Sequence, residues 1–329
     1  MLVLDAADVR RALPMAAAIE AMKRAFAALS DGRAVVPERI HLAVKPHDGV
    51  SLVMPALVDD DGEEALAVKV VSLFDRNAER GLARIQAAVL VLEADTGRPV
   101  ALLEGATLTA IRTGAASGAA TDLMARPDSR TVAILGAGVQ ARTQLEAVCT
   151  VRPIETVRVY DPLEGAVASL VEEMAGRSPI PADVRAAADA REAVAEADVV
   201  CAATTSRTPV FSDADLRPGV HVNAVGSYQP DVQEVPAETV VRAHLVVDSR
   251  DAALAETGDL IQPIRDGLIT ADHIQAELGE LVLGRAKGRT SDEQVTLFKA
   301  VGVAVQDAVA ARAALKRAEQ LGLGQQVRW

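Results

Sequence analysis

The sequence predicts an α/β protein of two domains, one of which is built on a doubly wound parallel sheet. At 329 residues the chain is long enough for two domains that each bury a core. From Arg130 onward, short apolar runs alternate with helical patterns, as they do when each strand of a parallel sheet leads into a helix. The first of these runs ends in a glycine turn that opens a helix. These observations predict a Rossmann-type domain over residues 119–306.

A second α/β domain is predicted for residues 1–118 together with residues 307–329. Apolar patterning and turn residues predict its elements in chain order. They are the helix MAAAIEAMKRAFAALSDG ended by Gly32, the strand ALAVKVVSLF, the hairpin RIQAAVLVLEADTGRPVALLEG, and the helix TLTAIRTGAASGAATDLMA. The small residues of the last helix suit it for close packing against another backbone.

The strands of the 119–306 domain are short and apolar. They are TVAILGAG, TVRVYD, ADVVCAATT, HVNAVG and HLVVD. Beyond them, Ser291 resembles a helix N-cap, with Gln294 three residues later. We expect a helix from there to about Leu321, ended by Gly322, which would return the chain to the first domain.

Composition and charge exclude several classes of protein. The net charge of −12 and the lack of any basic run disfavour a nucleic-acid or anionic-membrane surface. No apolar run approaches the ~18 residues of a membrane span. Cys149 and Cys201 lie far apart, without the spacing of a disulfide framework or metal site. That spacing also predicts no metal site. The N-terminal residues lack the apolar core of a signal peptide, so we expect a cytoplasmic location.

The segment ILGAGVQA carries a dinucleotide-binding pattern. Gly136 permits a tight turn, Gly138 lets the backbone approach a pyrophosphate, and Ala141 allows close helix–strand packing. The pattern follows a strand, opens a helix, and is followed by Asp161 at the end of the next strand. The alternative is a tight strand–helix turn that binds nothing. Cofactor contacts are expected from Gly136, Ala137, Gly138, Val139, Gln140, Asp161, Thr204, Val225, Gly226 and Ser227.

Asp161 also bears on the choice between the two nicotinamide cofactors. Its carboxylate would accept hydrogen bonds from the adenosine ribose hydroxyls and repel a 2′-phosphate. Pro162 and Leu163 follow it, where an NADP site more often has Arg or Ser. The sequence therefore favours NAD(H) over NADP(H).

The chain as a whole resembles the ornithine cyclodeaminase/μ-crystallin family. The resemblance is carried, in order, by VVPERIHL, SLVMPAL, AVKVVSLF, TGRPVALLEGATLTAIRTGAASG, VAILGAGVQA, NAVGS and LFKAVGVAVQD. It implies a two-domain homodimer that acts on small amino or imino acids with a nicotinamide cofactor. The family includes cyclodeaminases, amino-acid dehydrogenases, ketimine reductases and an eye-lens protein, so membership alone leaves the reaction open.

The resemblance implies a substrate site at Arg39, Lys69 and Arg112. An arginine can hold a substrate carboxylate through two parallel hydrogen bonds. Lys69 lies in the apolar strand AVKVV, where a charge needs a partner, and it could bind the carboxylate or pass a proton. The alternatives are an internal ion pair for Lys69, a dimer-interface salt bridge for Arg112 and a surface position for Arg39. Arg84 stands where cyclodeaminase-like relatives read GLPT, and it either adds a cation for a dicarboxylate or the cofactor, or pairs with Glu79.

The loop VGSYQPDVQEV departs from the cyclodeaminase pattern. Relatives that resemble ornithine cyclodeaminase have Gly-Gly-Asp there, and the Asp handles the substrate amino group. Tyr228 replaces that Asp, and Ala300 replaces a family Ser. A phenol has an ordinary pKa near ~10, so it is a poor general base at neutral pH. Tyr228 could line the pocket, stack near the nicotinamide, donate a hydrogen bond, or only shape the loop.

Lys69, Arg112 and Tyr228 are therefore the candidate catalytic residues. The leading hypothesis is an NAD(P)H-dependent imino-acid (ketimine) reductase or amino-acid dehydrogenase that delivers hydride to C2 of a small imino acid. The alternatives are a cyclodeaminating lyase that uses NAD catalytically and a non-enzymatic cofactor-binding protein. The loss of the Asp favours the reductase.

Overall fold

A computed structural model describes residues 1–60 and 62–328 of the chain. Asp61 and Trp329, both within the predicted first domain, lie outside the described residues. Two compact units are present, Met1–Arg112 with Ala304–Trp329 and Thr113–Val303. The sequence predicts boundaries after residues 118 and 306, whereas the units divide after residues 112 and 303. The first division falls inside a helix, where the sequence carries no turn signal.

The strands and helices are defined as follows. The strands are β1 (Leu2–Leu4), β2 (Ala34–Val35), β3 (Ile40–Val44), β4 (Gly49–Asp60), β5 (Glu63–Phe74), β6 (Ile85–Leu92), β7 (Pro99–Glu104), β8 (Thr131–Leu135), β9 (Thr156–Tyr160), β10 (Val184–Ala186), β11 (Val199–Ala202), β12 (His221–Ala224), β13 (His244–Val247), β14 (Ala276–Glu277), β15 (Thr296–Lys299) and β16 (Gln325–Gln326). The α-helices are α1 (Ala6–Ala12), α2 (Met15–Ser30), α3 (Gly105–Met124), α4 (Val139–Val151), α5 (Glu164–Met174), α6 (Ala190–Val194), α7 (Ala237–Arg242), α8 (Arg250–Glu256), α9 (Gly258–Arg265), α10 (Leu278–Val282) and α11 (Ala304–Leu321).

The first unit is a mixed sheet covered by helices. Its strand order is β16-β1-β7-β6-β5-β4-β2, and β3 pairs with the first five residues of β4. Strands β4 to β7 form an antiparallel meander that includes the predicted β6–β7 hairpin. Helix α11 packs on α2 and on the meander and belongs to this unit. In this register Lys69 of β5 lies between Met54 of β4 and Val89 of β6.

The second unit is a doubly wound parallel sheet, which confirms the predicted fold class. Its strand order is β10-β9-β8-β11-β12-β15-β13-β14, and each neighbouring pair is parallel. The order reverses direction between β8 and β11, so their carboxyl ends form the switch point at which such sheets bind ligands. The predicted strand TVAILGAG is β8, and the glycine turn lies at this point.

The prediction of a helix that begins at Ser291 is wrong over the first part of that helix. Residues Thr296–Lys299 form the fully buried strand β15 between β12 and β13, and α11 begins only at Ala304. Gln294 caps a turn instead, because its side-chain oxygen accepts a hydrogen bond from the N–H of Thr290 at 2.8 Å. The four-residue run TLFK carries no strand signal stronger than the cap signal before it, and its pairing partners lie far away in sequence.

No helix in the described part of the chain is both long enough and apolar enough to cross a membrane. The two cysteines, Cys149 and Cys201, are free thiols buried in the second unit.

Helix α3 makes the close backbone contact that its small residues predict. A Cβ atom on Gly114 would lie 2.5 Å from the carbonyl oxygen of Thr143 in α4. Real Cβ atoms do not approach backbone so closely, so a side chain at this position would push the two helices apart.

We expect Gly114→Ala to lower the free energy of unfolding by about 1–3 kcal/mol, because overpacking outweighs the gain in helix propensity. Gly165→Ala in α5 is the matched control, since a Cβ there meets nothing within 4 Å. It should leave stability unchanged or raise it by up to ~1 kcal/mol. Urea denaturation of both variants measures the difference. Equal stability for the two variants would show that α3 and α4 do not pack as described.

Candidate functional site

The glycine turn after β8 excludes a side chain at Gly136 and leaves open space at Gly138. Gly136 has φ +94°, and a Cβ on it would lie 2.6 Å from the carbonyl oxygen of Ala203. Gly138 precedes α4, and the space where its Cβ would stand is open. Gly138 supplies no side-chain cap to the helix, so the first-turn N–H groups, including those of Val139 and Gln140, are placed to bind an anion. These features fit a pyrophosphate.

Asp161 lies beside this turn at the carboxyl end of β9. One carboxylate oxygen accepts the N–H of Ala137 at 2.9 Å, and the other accepts the N–H of Leu163 at 2.8 Å. Each oxygen keeps a second lone pair, which suits it to accept a ribose hydroxyl as well. Asp161 therefore fixes the turn and leaves acceptor capacity for an adenosine ribose.

The other predicted cofactor contacts follow β11 and β12. The N–H and hydroxyl of Thr204 donate to Glu234 Oε1 at 2.6 and 2.8 Å, and the N–H of Gly226 donates to Glu234 Oε2 at 2.7 Å. The N–H of Val225 donates to the carbonyl of Ala202 at 3.0 Å. Two of the predicted residues are thus held by an acid that the sequence analysis missed. Nothing in the loop sequence distinguishes buried Glu234 from exposed Asp231.

The Ser227 side chain points into the protein. Its hydroxyl donates to the carbonyl of Val232 at 2.6 Å and lies 2.9 Å from the Thr257 hydroxyl, and the residue is fully buried. Ser227 therefore holds the loop with its side chain, and only its backbone could touch a ligand. Tyr228 next to it is half-buried. Its role stays a prediction.

Lys69, Arg112 and Asp307 form a buried ion triad. Lys69 Nζ lies 2.6 Å from Asp307 Oδ2, and Arg112 Nε donates to Asp307 Oδ1 at 3.1 Å. Arg112 Nη1 also donates to Gln306 Oε1 at 3.1 Å. The relative exposures are 1% for Lys69, 6% for Arg112 and 1% for Asp307. The internal ion pair considered for Lys69 is therefore present, and Arg112 takes part in the same cluster.

The pKa values of Lys69 and Asp307 are shifted within the triad. Burial, with repulsion from Arg112, lowers the pKa of Lys69 to about 8, although Asp307 opposes the shift. Burial alone would raise the pKa of Asp307, but Arg112 and Lys69 hold it below its usual range. The triad contains two cations and one carboxylate, so it carries one surplus positive charge at neutral pH. That surplus is suited to an anionic ligand.

Asp307 and Gln306 were missed by sequence reasoning. A signal exists, because they interrupt the apolar stretch VGVAVQDAVAA. An acid on the buried face of a helix needs a cationic partner. That rule identifies Asp307 as a paired residue but does not identify its partners.

Arg39 and Arg84 differ in their relation to the triad. Arg39 lies just before β3, and its charge contributes to lowering the pKa of Lys69. Arg84 precedes β6, and its Nε lies 2.5 Å from Asp75 Oδ1. Arg84 thus has an acidic partner in Asp75, and the pairing considered with Glu79 stays a prediction. Asp75 follows β5 directly, and antiparallel pairing of β5 and β6 brings the preceding Phe74 opposite Arg84, so Asp75 lies next to it.

Over residues 1–60 and 62–328, no three His, Cys, Asp or Glu side chains are grouped closely enough to hold a metal ion.

Comparison with known proteins gives a consistent result over the whole chain. The sequence model of the ornithine cyclodeaminase/mu-crystallin family matches residues 1–321. A Delta(1)-pyrroline-2-carboxylate reductase of Bacillus cereus is 41% identical over 331 residues, covering 99% of both chains. The Thermococcus litoralis Delta(1)-pyrroline-2-carboxylate reductase, solved in complex with NADH and L-proline, has a TM-score of 0.94 and 45% identity, and the match covers 99% of this chain and 100% of that one. An archaeal alanine dehydrogenase dimer with bound NAD has a TM-score of 0.91 and 30% identity, and the match covers 100% of this chain and 99% of that one.

We expect Asp307→Asn to lower the free energy of unfolding by about 3 kcal/mol at neutral pH, because two buried cations lose their counter-charge. Lys69 already titrates in the folded chain below its unfolded pKa of about 10.4. The unfolded chain therefore binds more protons between these two values, and stability rises with pH there. Removing Asp307 lowers the folded pKa of Lys69 further, so the deficit of the variant should shrink as the pH rises to about 8 and stay constant above that value.

The test is urea denaturation of both proteins at about pH 6.5 and about pH 9.5. Glu63→Gln is the control, since Glu63 pairs with Lys316 at 2.7 Å on the solvent-exposed surface, where an ion pair contributes little to stability. A deficit for Asp307→Asn no larger than that of the control would mean that the triad does not stabilise the fold.

Proposed function

The chain belongs to the ornithine cyclodeaminase/mu-crystallin family, and we propose that it reduces Δ1-pyrroline-2-carboxylate, a cyclic imino acid, to proline. It is an NAD(P)H-dependent oxidoreductase that acts on C=N or CH–NH groups, as its relatives are. The two reductases that match over 99% of this chain, at 41% and 45% identity, support the choice of substrate. The alanine dehydrogenase relative makes an open-chain imino acid the next substrate to test.

The observation that carries the proposal is the surplus positive charge of the Lys69–Arg112–Asp307 triad. A buried cation without a full counter-charge is costly, and a substrate carboxylate would balance it. Arg112 would orient the carboxylate, and Lys69, with a pKa of about 8, is mostly protonated at neutral pH. Arg39 adds a further positive charge near Lys69.

The reaction needs few groups from the chain. The reduced cofactor supplies hydride to C2 when it is bound. A cyclic imine requires only protonation at nitrogen before it accepts hydride, so no strong base is needed. Lys69 and Arg112 hold the carboxylate, which fixes the orientation of the C=N bond. Lys69 is also the protonated group of the triad that could supply a proton. The phenol of Tyr228 replaces the acid that a cyclodeaminase uses on the amino group.

We propose NAD(H) as the preferred cofactor, held by the turn at Gly136 and Gly138 with Asp161 at the adenosine ribose. Asp161 keeps an acceptor lone pair on each oxygen, and a negative charge there would repel a 2′-phosphate.

The first domain with the C-terminal helix is proposed to bind the substrate. A homodimer is proposed as well, supported by the exposed apolar side chains of Val35, Ile40 and Leu42 and by the dimeric alanine dehydrogenase relative. A cytoplasmic location is proposed because NADH is available there.

The test of function follows the absorbance of NADH. We expect it to fall when Δ1-pyrroline-2-carboxylate is added, and more slowly when NADPH replaces NADH. A panel of larger cyclic imines and of 2-oxo acids with ammonia defines the substrate range. Ammonia release from ornithine without net NADH consumption would support a lyase and contradict the proposal. NADH binding without turnover of any panel member would indicate a binding protein.

We expect Arg112→Ala to lose at least about tenfold in kcat/KM, which corresponds to ~1.4 kcal/mol of transition-state binding. Tyr228→Phe should keep most of the activity, because a neutral phenol contributes mainly shape. Steady-state kinetics measure both variants, and NADH titration verifies that each still binds cofactor. If Tyr228→Phe lost as much as Arg112→Ala, the hydroxyl would be a proton donor.

A further inference from the structure

A second buried charge cluster lies in the parallel-sheet unit and consists of Glu234, Asp259 and Lys299. All three residues have 0% relative exposure. Lys299 ends β15, and its Nζ lies 2.9 Å from Asp259 Oδ2. Asp259 Oδ1 accepts the N–H groups of Glu234 and Val235 at 2.6 and 3.0 Å. The cluster therefore anchors the backbone of Glu234 to the strand beside β12.

The Glu234 side chain joins two loops. Its Oε1 accepts both donors of Thr204, and its Oε2 accepts the N–H of Gly226. Thr204 follows β11 and Gly226 follows β12, so one carboxylate fixes the ends of two adjacent strands. A Cβ on Gly226 would lie 2.3 Å from Glu234 Oε1 and 2.4 Å from the Thr204 carbonyl oxygen. The two loops are thus in direct contact, and they leave no space for a side chain at Gly226.

The position of these loops in the sheet indicates which part of a dinucleotide they meet. Asp161, at the adenosine ribose, follows β9, and the pyrophosphate turn follows β8. The sheet continues in the order β9-β8-β11-β12. A dinucleotide that extends from β9 across β8 brings its other half over the ends of β11 and β12.

We propose that Glu234 is a positioning residue for the nicotinamide half of the cofactor. The inference rests on the proposed function, because it assumes a dinucleotide at the glycine turn. Glu234 is fully buried, and three protein donors occupy its two oxygens, so it acts through Thr204 and Gly226. Burial raises the pKa of Glu234, and the charge of Lys299 opposes that shift. An ionised carboxylate suits the site, because all three neighbouring groups donate hydrogen bonds.

The substitution Glu234→Gln tests this role. The amide keeps the shape but has a single acceptor oxygen, so its NH₂ group must face the N–H of Gly226 or of Thr204. One loop should therefore move away from the other. We expect the Kd of NADH to rise by about tenfold or more, because a charge-assisted hydrogen bond is lost. The Kd of ADP, which lacks the nicotinamide half, should change less than about twofold.

Asp198→Asn is the matched control. Asp198 is also buried and also accepts two backbone N–H groups, from Arg130 and Thr131 at 2.8 and 3.0 Å. It lies at the start of β8 and β11, on the amino edge of the sheet, so its loss should not alter the ratio of NADH to ADP affinity. Thr204→Val, which deletes only the hydroxyl bond, provides a milder variant and should raise the NADH Kd by about threefold.

Calorimetric titration of NADH and of ADP, without substrate, distinguishes the outcomes. Selective loss of NADH affinity in Glu234→Gln and Thr204→Val supports the inference. An unchanged ratio of the two affinities in Glu234→Gln, or in Thr204→Val should the former not fold, overturns it while leaving the proposed reductase intact. Wild-type protein that binds neither nucleotide overturns the proposed function itself.

Discussion

The burial of unequal charges in the Lys69–Arg112–Asp307 triad is the constraint on which the first unit depends. Asp307 lies on α11, Lys69 on β5 and Arg112 on α3, so one carboxylate joins three elements that are far apart in sequence. A buried carboxylate needs its cations at short distance, and this requirement fixes where α11 lies against the meander. Because two cations share one acid, the arrangement stabilises the fold incompletely. The remaining attraction for an anion is what makes the cluster a candidate binding site.

The buried cluster of the parallel-sheet unit has the opposite imbalance of charge, with more acids than cations. There, Glu234 and Asp259 share the single cation Lys299, and backbone N–H groups supply the remaining stabilisation. These bonds run to loops at the carboxyl edge of the sheet, where rigidity matters for holding a ligand. The positive cluster therefore suits contact with a carboxylate, whereas the negative cluster holds the loops of its own unit in place.

Sequence reasoning predicted the parallel sheet, because the signal for it was local. Gly136, Gly138 and Asp161 lie within 26 consecutive residues, and each strand–turn–helix step is encoded by adjacent residues. It failed for β15, whose four residues gain their stability from β12 and β13. It also failed for Asp307, which is 195 residues from Arg112, and for Glu234, which is 30 residues from Thr204. Single-sequence patterns show that a buried acid needs a partner, but the fold alone determines which residue that is.

The inclusion of α11 and β16 in the first unit determines the order in which the protein can assemble as it is synthesised. Leu2 of β1 pairs with Gln326 of β16, and Lys69 pairs with Asp307. The second unit, by contrast, is one continuous stretch of residues 113–303. On the ribosome, that stretch can fold as soon as it emerges, whereas residues 1–112 must remain incomplete until residues 304–326 have been made. For that interval the long strands β4 and β5 lack the helix that covers them, so nascent chains are most exposed to aggregation or to chaperone binding in their first third.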